Sequence, residues 1–396
     1  MVTNDGWRKI RLGDVAVIAR GGSPRPIQEY LTSNPDGINW IKIGDVKPGE
    51  KYITYTQERI IEEGRSKSRD VHAGDLILSN SMSYGRPYIL KIDGCIHDGW
   101  LVIQRYEHSF EQGYLFYALS SFDTFNQYRA MSAGSSVQNL SKDKVANVVI
   151  YAPDRDEQAT IARSLDDIDC LIKNLDELVI KTRDVREGVA QALLSGKSRL
   201  PGYGDSWSRV ELQDALAFCT TTVPIDSIVQ SEYVGTENMV KDRGGVVDNN
   251  KRLAYDKVRE YQPRDILVSN IRPYLRKIWF ANRRGGCSND VLVFRSIDED
   301  QFDPSFLFHV LSRNEFFSYA TNNSTGTKMP RGDKEASRRY LFAVPNSVSE
   351  QRAIARTLTT IDNEIALLER KLEKFKQIRQ GMMRELLTGR IRLVQE

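Results

Sequence analysis

The chain has 396 residues, is 40% hydrophobic and carries a formal net charge of +3, a balance too small to diagnose a polyanionic partner by itself. No apolar run reaches transmembrane length, and Met1–Arg11 is polar and charged, unlike a secretion signal. Four singly placed cysteines (Cys95, Cys170, Cys219 and Cys287) and four dispersed histidines argue against a metal centre or disulfide framework and for a reducing cytoplasm.

In chain order, residues 1–152 predict a mixed α/β globule. Leu76–Asn80 (LILSN) and its neighbours are short apolar runs between turn residues, a strand signature, and Gln112–Ser121 reads as a helix. Three loops of this segment have nucleic-acid character: Arg20–Arg25 (RGGSPR), Ser79–Arg86 (SNSMSYGR) and Ser132–Asn139 (SAGSSVQN). Arg and Lys suit guanine edges and phosphates, Asn and Gln suit adenine edges, and Ser suits phosphates. The candidate DNA contacts here are Arg20, Arg25, Asn80, Tyr84, Arg86, Ser135 and Gln138.

Residues 153–200 predict one long helix. Apolar residues at Ile161, Leu165, Ile168, Ile172, Leu175 and Val179 follow the 4-3 spacing of a coiled-coil seam, continuing less cleanly through Val185, Val189 and Leu193. Pro153 and Asp156 mark its start, and Gly196 stands where a C-terminal cap belongs.

Residues 201–345 predict a second α/β globule. Asp265–Asn270 (DILVSN) matches Asp75–Asn80 (DLILSN), Cys287–Phe294 echoes Cys95–Val102, and Pro304–Ser312 reads as a helix. Its candidate DNA contacts are Lys251, Arg252, Asn270, Arg272, Tyr274, Lys328 and Arg331. Residues 346–396 then repeat the long helix, with a seam at Ile354, Leu358, Ile361, Ile365, Leu368 and Leu372, Pro345 and Ser349 before it and Gly389 after it.

The two helical segments are copies. Glu157–Leu200 aligns without a gap to Glu350–Leu393, with 18 of 44 positions identical. Each helix spans about 39 residues, roughly 58 Å. Residues 157–195 carry 5 basic and 8 acidic side chains, and residues 350–389 carry 8 and 6. Their opposite net charge favours pairing with each other. Short linkers on both sides of the second globule predict an antiparallel pair with an internal pseudo-two-fold repeat. The fold class is therefore α+β: two mixed α/β globules separated by a long antiparallel helical coil.

Enzymatic signatures are missing. There is no GxxxxGK[ST], no GxGxxG after a strand and no GxSxG, and Ser269–Tyr274 (SNIRPY) lacks the acidic residue and double proline of an adenine-methyltransferase loop. His97-Asp98 resembles a catalytic pair, but the matching segment of the other half reads Asn289-Asp290.

Two divergent globules, each followed by a Pro-then-EQxxIAxxL helix ending in LL-[ST]-G-[KR], closely resemble the specificity subunit of type I restriction–modification enzymes. The residues that carry the likeness are Pro153, Glu157-Gln158 and Leu194–Lys197, with Pro345, Glu350-Gln351 and Leu387–Arg390. The resemblance implies two target recognition domains, each reading one half of a bipartite double-stranded DNA site, with the coil as spacer. It implies docking of two methyltransferase subunits and, in a full complex, two restriction subunits. S-adenosylmethionine, ATP and Mg would sit on those partners and no cofactor on this chain, which would be non-catalytic. The alternative is a coiled-coil scaffold or decoy subunit of such a system that ignores DNA.

Overall fold

The computed structural model describes residues 6–46, 49–80, 84–132, 139–247 and 256–393. Packing divides the chain into two units: residues 1–176 with 371–396, and residues 177–370. The expected boundaries set the helices apart from the globules. Instead, each long helix divides near its midpoint, because its first turns are core to one globule and its last turns to the other.

In the first unit, one sheet has the strand order Val17–Arg20, Trp100–Gln104, Leu76–Ser79, Pro87–Leu90, Tyr52–Ile53. Side chains alternate across it, as the twofold repeat of a strand requires. Leu76 and Leu78 join a core with Leu101, Tyr114, Tyr117, Ile161, Leu165, Leu386 and Leu387. Ile77 points the other way, into a core with Ile41, Val71, Ile96, Trp100 and Val102. The unbroken apolar run Leu76–Leu78 follows from this burial on both faces. A second sheet runs Leu31–Thr32, Glu58–Ile60, Ile38–Ile41, Gly94–Ile96, Arg69–Val71. Helices Gln112–Leu119 and Phe122–Ser132 complete the globule.

The second unit repeats the plan. Its first sheet runs Leu216–Phe218, Val291–Ser296, Ile266–Ser269, Ile278–Phe280. Ile266 and Val268 face a core with Phe306, Leu307, Ile354 and Leu358, while Leu267 faces Val234, Tyr261 and Val293. Helices Pro304–Leu311 and Asn314–Asn322 correspond to those of the first unit. Each globule closes on itself by pairing its first strand with its last: Arg8–Arg11 with Val149–Ala152, and Trp207–Glu211 with Leu341–Pro345. The termini of the second globule are therefore adjacent, as the antiparallel expectation required.

The long helices span Arg155–Leu194 and Val348–Leu386. The first starts earlier than expected, because the Asp154 carboxylate, not Asp156, accepts from the Glu157 N–H at 2.9 Å. Beyond their ends Gly196 and Gly389 have φ of +73° and +71°, the left-handed conformation that terminates a helix most cheaply at glycine. Within each unit the helices run antiparallel. In the first, Glu157 meets Arg392 and Asp169 meets Arg379; in the second, Arg183 meets Glu369, Arg186 meets Asp362 and Arg199 meets Glu350.

Ile168, Val179, Leu368 and Leu372 are buried in the helical pair, and Ile172, Leu175, Ile361 and Ile365 are partly buried. Ile161, Leu165, Ile354 and Leu358 go deeper, into the globular cores. Val185 is 58% exposed, and the charged Arg186 takes the buried position beside it. Val179, Arg186 and Leu193 keep the heptad step of the seam, so Val185 falls one position out of it and turns outward. The ion pairs also refine the charge reading. In the second unit it is the net-acidic first helix that supplies the arginines.

The repeated Glu-Gln motif has a physical explanation. The Gln158 amide accepts from the Glu111 N–H and donates to the carbonyls of Ser109 and Pro153; Gln351 does the same with Asp303, Gln301 and Pro345. Both glutamines are fully buried, so those backbone groups would otherwise be left unsatisfied.

Candidate nucleic-acid interface

In the first unit three strand ends converge. Arg20 ends the strand that pairs with Leu101, Asn80 follows the strand that pairs through Ser79 with Trp100, and residues 97–99 form the turn that enters Trp100–Gln104. Asp98 lies at their meeting point. Its carbonyl accepts from Arg20 Nε at 3.0 Å and Asn80 Nδ2 at 2.9 Å. Its carboxylate accepts from Ser23 Oγ at 2.9 Å, lies 2.9 Å from His97 Nε2 and pairs with Arg25 at 3.7 Å. Gly21 lets the Arg20–Arg25 loop cross close to this turn, since a Cβ there would fall 2.1 Å from the His97 carbonyl oxygen. Three of the residues expected from sequence, Arg20, Arg25 and Asn80, are thus gathered around one aspartate.

The second unit builds a similar cluster around Asp290, which by strand register stands where Gly99 does in the first unit, one position beyond Asp98. The Asn270 N–H donates to the Asp290 carbonyl at 2.8 Å, as the Asn80 N–H donates to that of Gly99 at 2.9 Å. Arg331 pairs with the Asp290 carboxylate at 3.0 Å and reaches it from the small hairpin Ser324–Thr325/Arg331–Gly332. That hairpin is tied to the sheet end, with Gly332 N–H donating to the Asn270 carbonyl and Arg272 N–H to that of Pro330. Arg272 sits at φ +51°, and Tyr274 is 52% exposed. Asn270, Arg272 and Arg331 are brought together, with Tyr274 and the exposed Lys328 on the same loops.

The other expected contacts divide. Arg86 is exposed after the turn that follows Asn80. Tyr84 is turned inward: its hydroxyl donates to the Tyr128 carbonyl at 3.0 Å, and its ring stands edge-on to Phe125 and Tyr128. Its place is packing, because Phe125 and Tyr128 of the helix Phe122–Ser132 give the ring an apolar contact that solvent does not. Ser135, Gln138, Lys251 and Arg252 lie outside the described residues. Asp98 and Asp290 were missed as site residues. Their one signal was the matched Cys-x-x-Asp of residues 95–98 and 287–290, and a search for basic and amide side chains passes over a carboxylate.

A second pair of equivalent clusters fixes the helices. The Tyr117 hydroxyl donates to Asp166 at 2.6 Å and lies 3.0 Å from Asp169, and Asp169 also binds Arg379. Burial, reinforced by these carboxylates, raises the Tyr117 phenol well above its ordinary range. In the second unit His309 stands in its place. His309 Nε2 lies 3.0 Å from Thr359 Oγ1, its other ring nitrogen faces Arg186 at 3.4 Å, and Arg186 Nε donates to Asp362 at 2.8 Å. Burial pushes the His309 imidazole down to about 4. Each globule thus inserts one polar side chain at the helical pair and sets the rotation of both helices against itself.

The chain matches the type I restriction modification DNA specificity domain twice, over residues 4–180 and 232–377. It is similar to the type I restriction enzyme MjaVIII specificity subunit of Methanocaldococcus jannaschii, 20% identical over 98% of this chain and 94% of that one. The EcoDI specificity subunit of Escherichia coli is 21% identical over 50% of this chain and 51% of its own. Among solved structures, the type I restriction-modification S subunit from M. genitalium superposes with a TM-score of 0.61 at 14% identity, covering 98% of both chains. The HsdS subunit from Thermoanaerobacter tengcongensis gives 0.50 at 19% identity, with 98% of both chains covered. The first match takes in one globule and part of its long helix, the second most of the other globule and part of its helix, and together they cover most of the sequence. The chain therefore belongs to the type I restriction–modification DNA specificity family and carries two copies of its domain.

Proposed function

We propose that each globule reads one half of a bipartite, asymmetric double-stranded DNA site through the sheet end centred on Asp98 or Asp290. The long helices set the spacing between the two half-sites. The observation that carries this reading is the duplication of the cluster. At the same sheet end of both units an asparagine and arginines gather, while the loops that supply them differ in length and composition. Basic side chains set the register on phosphates, and a few Arg and Asn side chains read base edges.

In the same reading the chain is non-catalytic. It docks two methyltransferase subunits and, in a restricting assembly, two restriction subunits, and those partners hold S-adenosylmethionine, ATP and Mg. A groove of about 1140 Å³ in the first unit supports docking; Phe122, Tyr151, Lys376, Gln380 and Arg384 are among its lining residues, and Phe122 is 74% exposed. Large exposed aromatics beside cations are a feature of protein-binding surfaces. The test is to co-express the chain with its methyltransferase partner and map methylated adenines on genomic DNA. A bipartite motif with a fixed gap is expected, and a continuous motif overturns the reading.

A further inference from the structure

Asp98 and Asp290 occupy the turns that enter corresponding strands, Trp100–Gln104 and Val291–Ser296, yet the arginines they hold have different origins. Arg25 comes from the loop after the strand Val17–Arg20. Arg331 comes from a hairpin more than a hundred residues further along its own unit than the corresponding place would be. Two unrelated loops have been brought to the same acidic turn. Duplication alone does not produce that, because the two aspartates stand at neighbouring rather than equal positions of the turn: by register Asp290 takes the place of Gly99, and Asn289 that of Asp98.

Stability does not explain the arrangement either. The Arg25 and Arg331 side chains are 82% and 59% exposed, and ion pairs so open to water contribute little to folding. What the carboxylate does change is the terms on which the arginine meets DNA. A phosphate must displace the aspartate and approach a like charge, with only Coulomb attraction in return. A guanine edge offers two acceptors to one guanidinium, requires a defined direction and brings no charge against the carboxylate.

We propose that Asp98 and Asp290 are specificity-determining positioning residues. They hold Arg25 and Arg331 back from the phosphate backbone and aim them at base edges, so that they weaken binding to non-cognate DNA more than binding to the cognate site. The proposal rests on the reading that these sheet ends face DNA. It differs from that reading in assigning the acidic partner a role of its own.

Asp98→Asn and Asp290→Asn test it, in the full chain assembled with its methyltransferase partner. Asparagine keeps an acceptor for Ser23, and the Asp98 carbonyl that takes Arg20 and Asn80 belongs to the backbone. Binding is measured against a random-sequence duplex and against a duplex carrying the methylation-mapped site, across a salt series. Asp98→Asn is expected to tighten random-duplex binding several-fold and to steepen its log K against log salt dependence by about one, the equivalent of one freed cation. The cognate-to-random ratio is expected to fall, with the unfolding midpoint unchanged. Random-duplex binding that weakens or stays the same overturns the proposal. Arg25→Ala and Arg331→Ala separate the two levels. If neither weakens cognate binding, the DNA-facing reading itself has failed. If they do weaken it while Asp98→Asn leaves the ratio intact, only the role of the aspartate has.

Discussion

Glu157, 5% exposed at the head of the first long helix, accepts hydrogen bonds of 2.8 and 2.6 Å from Arg392, which follows the tail of the second. The Arg392 guanidinium also lies 5.9 Å from the ring centre of Trp7. Glu350, Arg199 and Trp207 repeat the arrangement in the other unit, with two hydrogen bonds of 2.6 Å. In each unit the head of one helix is strapped to the tail of the other. Two copies of one sequence, with glutamate at the head and arginine at the tail, can satisfy both straps only when they run antiparallel.

Arg392→Ala should therefore destabilise the first unit by about 2–4 kcal/mol. That is somewhat below the cost of opening a fully buried pair, because Arg392 itself is a third exposed. Urea unfolding of Arg392→Ala, Glu157→Gln and the double variant checks this. The double variant should cost less than the sum of the singles, since each single leaves a partner stranded.

Two glycines of the same repeat should respond in opposite ways to alanine. Gly389 has φ +71°, and a Cβ there would sit 3.0 Å from the Trp7 ring, so Gly389→Ala should cost about 1–2 kcal/mol. Gly188 lies inside the first helix with open space around it, so Gly188→Ala should stabilise by roughly 0.5–1 kcal/mol. Thermal melts of the two variants read both signs.

His309 makes the second unit sensitive to acid. Burial lowers its pKa from 6.5 to about 4, so the folded state keeps it neutral where the unfolded chain binds a proton. Stability from this group is complete above pH 6.5 and falls as the pH drops towards 4, by up to about 3 kcal/mol. His309→Gln should flatten the unfolding free energy across that window. An unchanged slope between pH 4 and 6.5 would show that other groups dominate it.

Arg272 sits in the second unit alone, among the loops around Asp290. Arg272→Ala should relax or weaken recognition at one half-site by about 1–3 kcal/mol and leave the other half-site intact, as read by methylation of single-half-site variants. Equal loss at both half-sites, together with loss on random DNA, would mark it as a phosphate anchor.

Much of the architecture was legible because it is written in local pattern. The 4-3 apolar spacing, the glycines after each helix and the DLILSN/DILVSN match depend on neighbours within a few residues, and each appears in the structure. The buried seam keeps its heptad step through Val179, Arg186 and Leu193, and Arg186 can occupy it because it lies beneath a globule, where Asp362 balances its charge and the neutral His309 ring lies against it. A valine at 185 then has no partner to face, and nothing local in the sequence marks that exchange.

By itself the sequence determined the duplication, the length of the helices, their antiparallel pairing and the loops rich in arginine and asparagine. Tertiary structure alone decided that Arg20, Arg25 and Asn80 converge on Asp98, that Tyr84 packs against the core and that Arg392 closes on Glu157. The physical reason is range. Periodicity and capping are set by contacts a few residues apart. An aspartate whose carbonyl and carboxylate together collect donors from three strand ends, or a strap joining residues 157 and 392, depends on how sheets and helices stack, which no local pattern records.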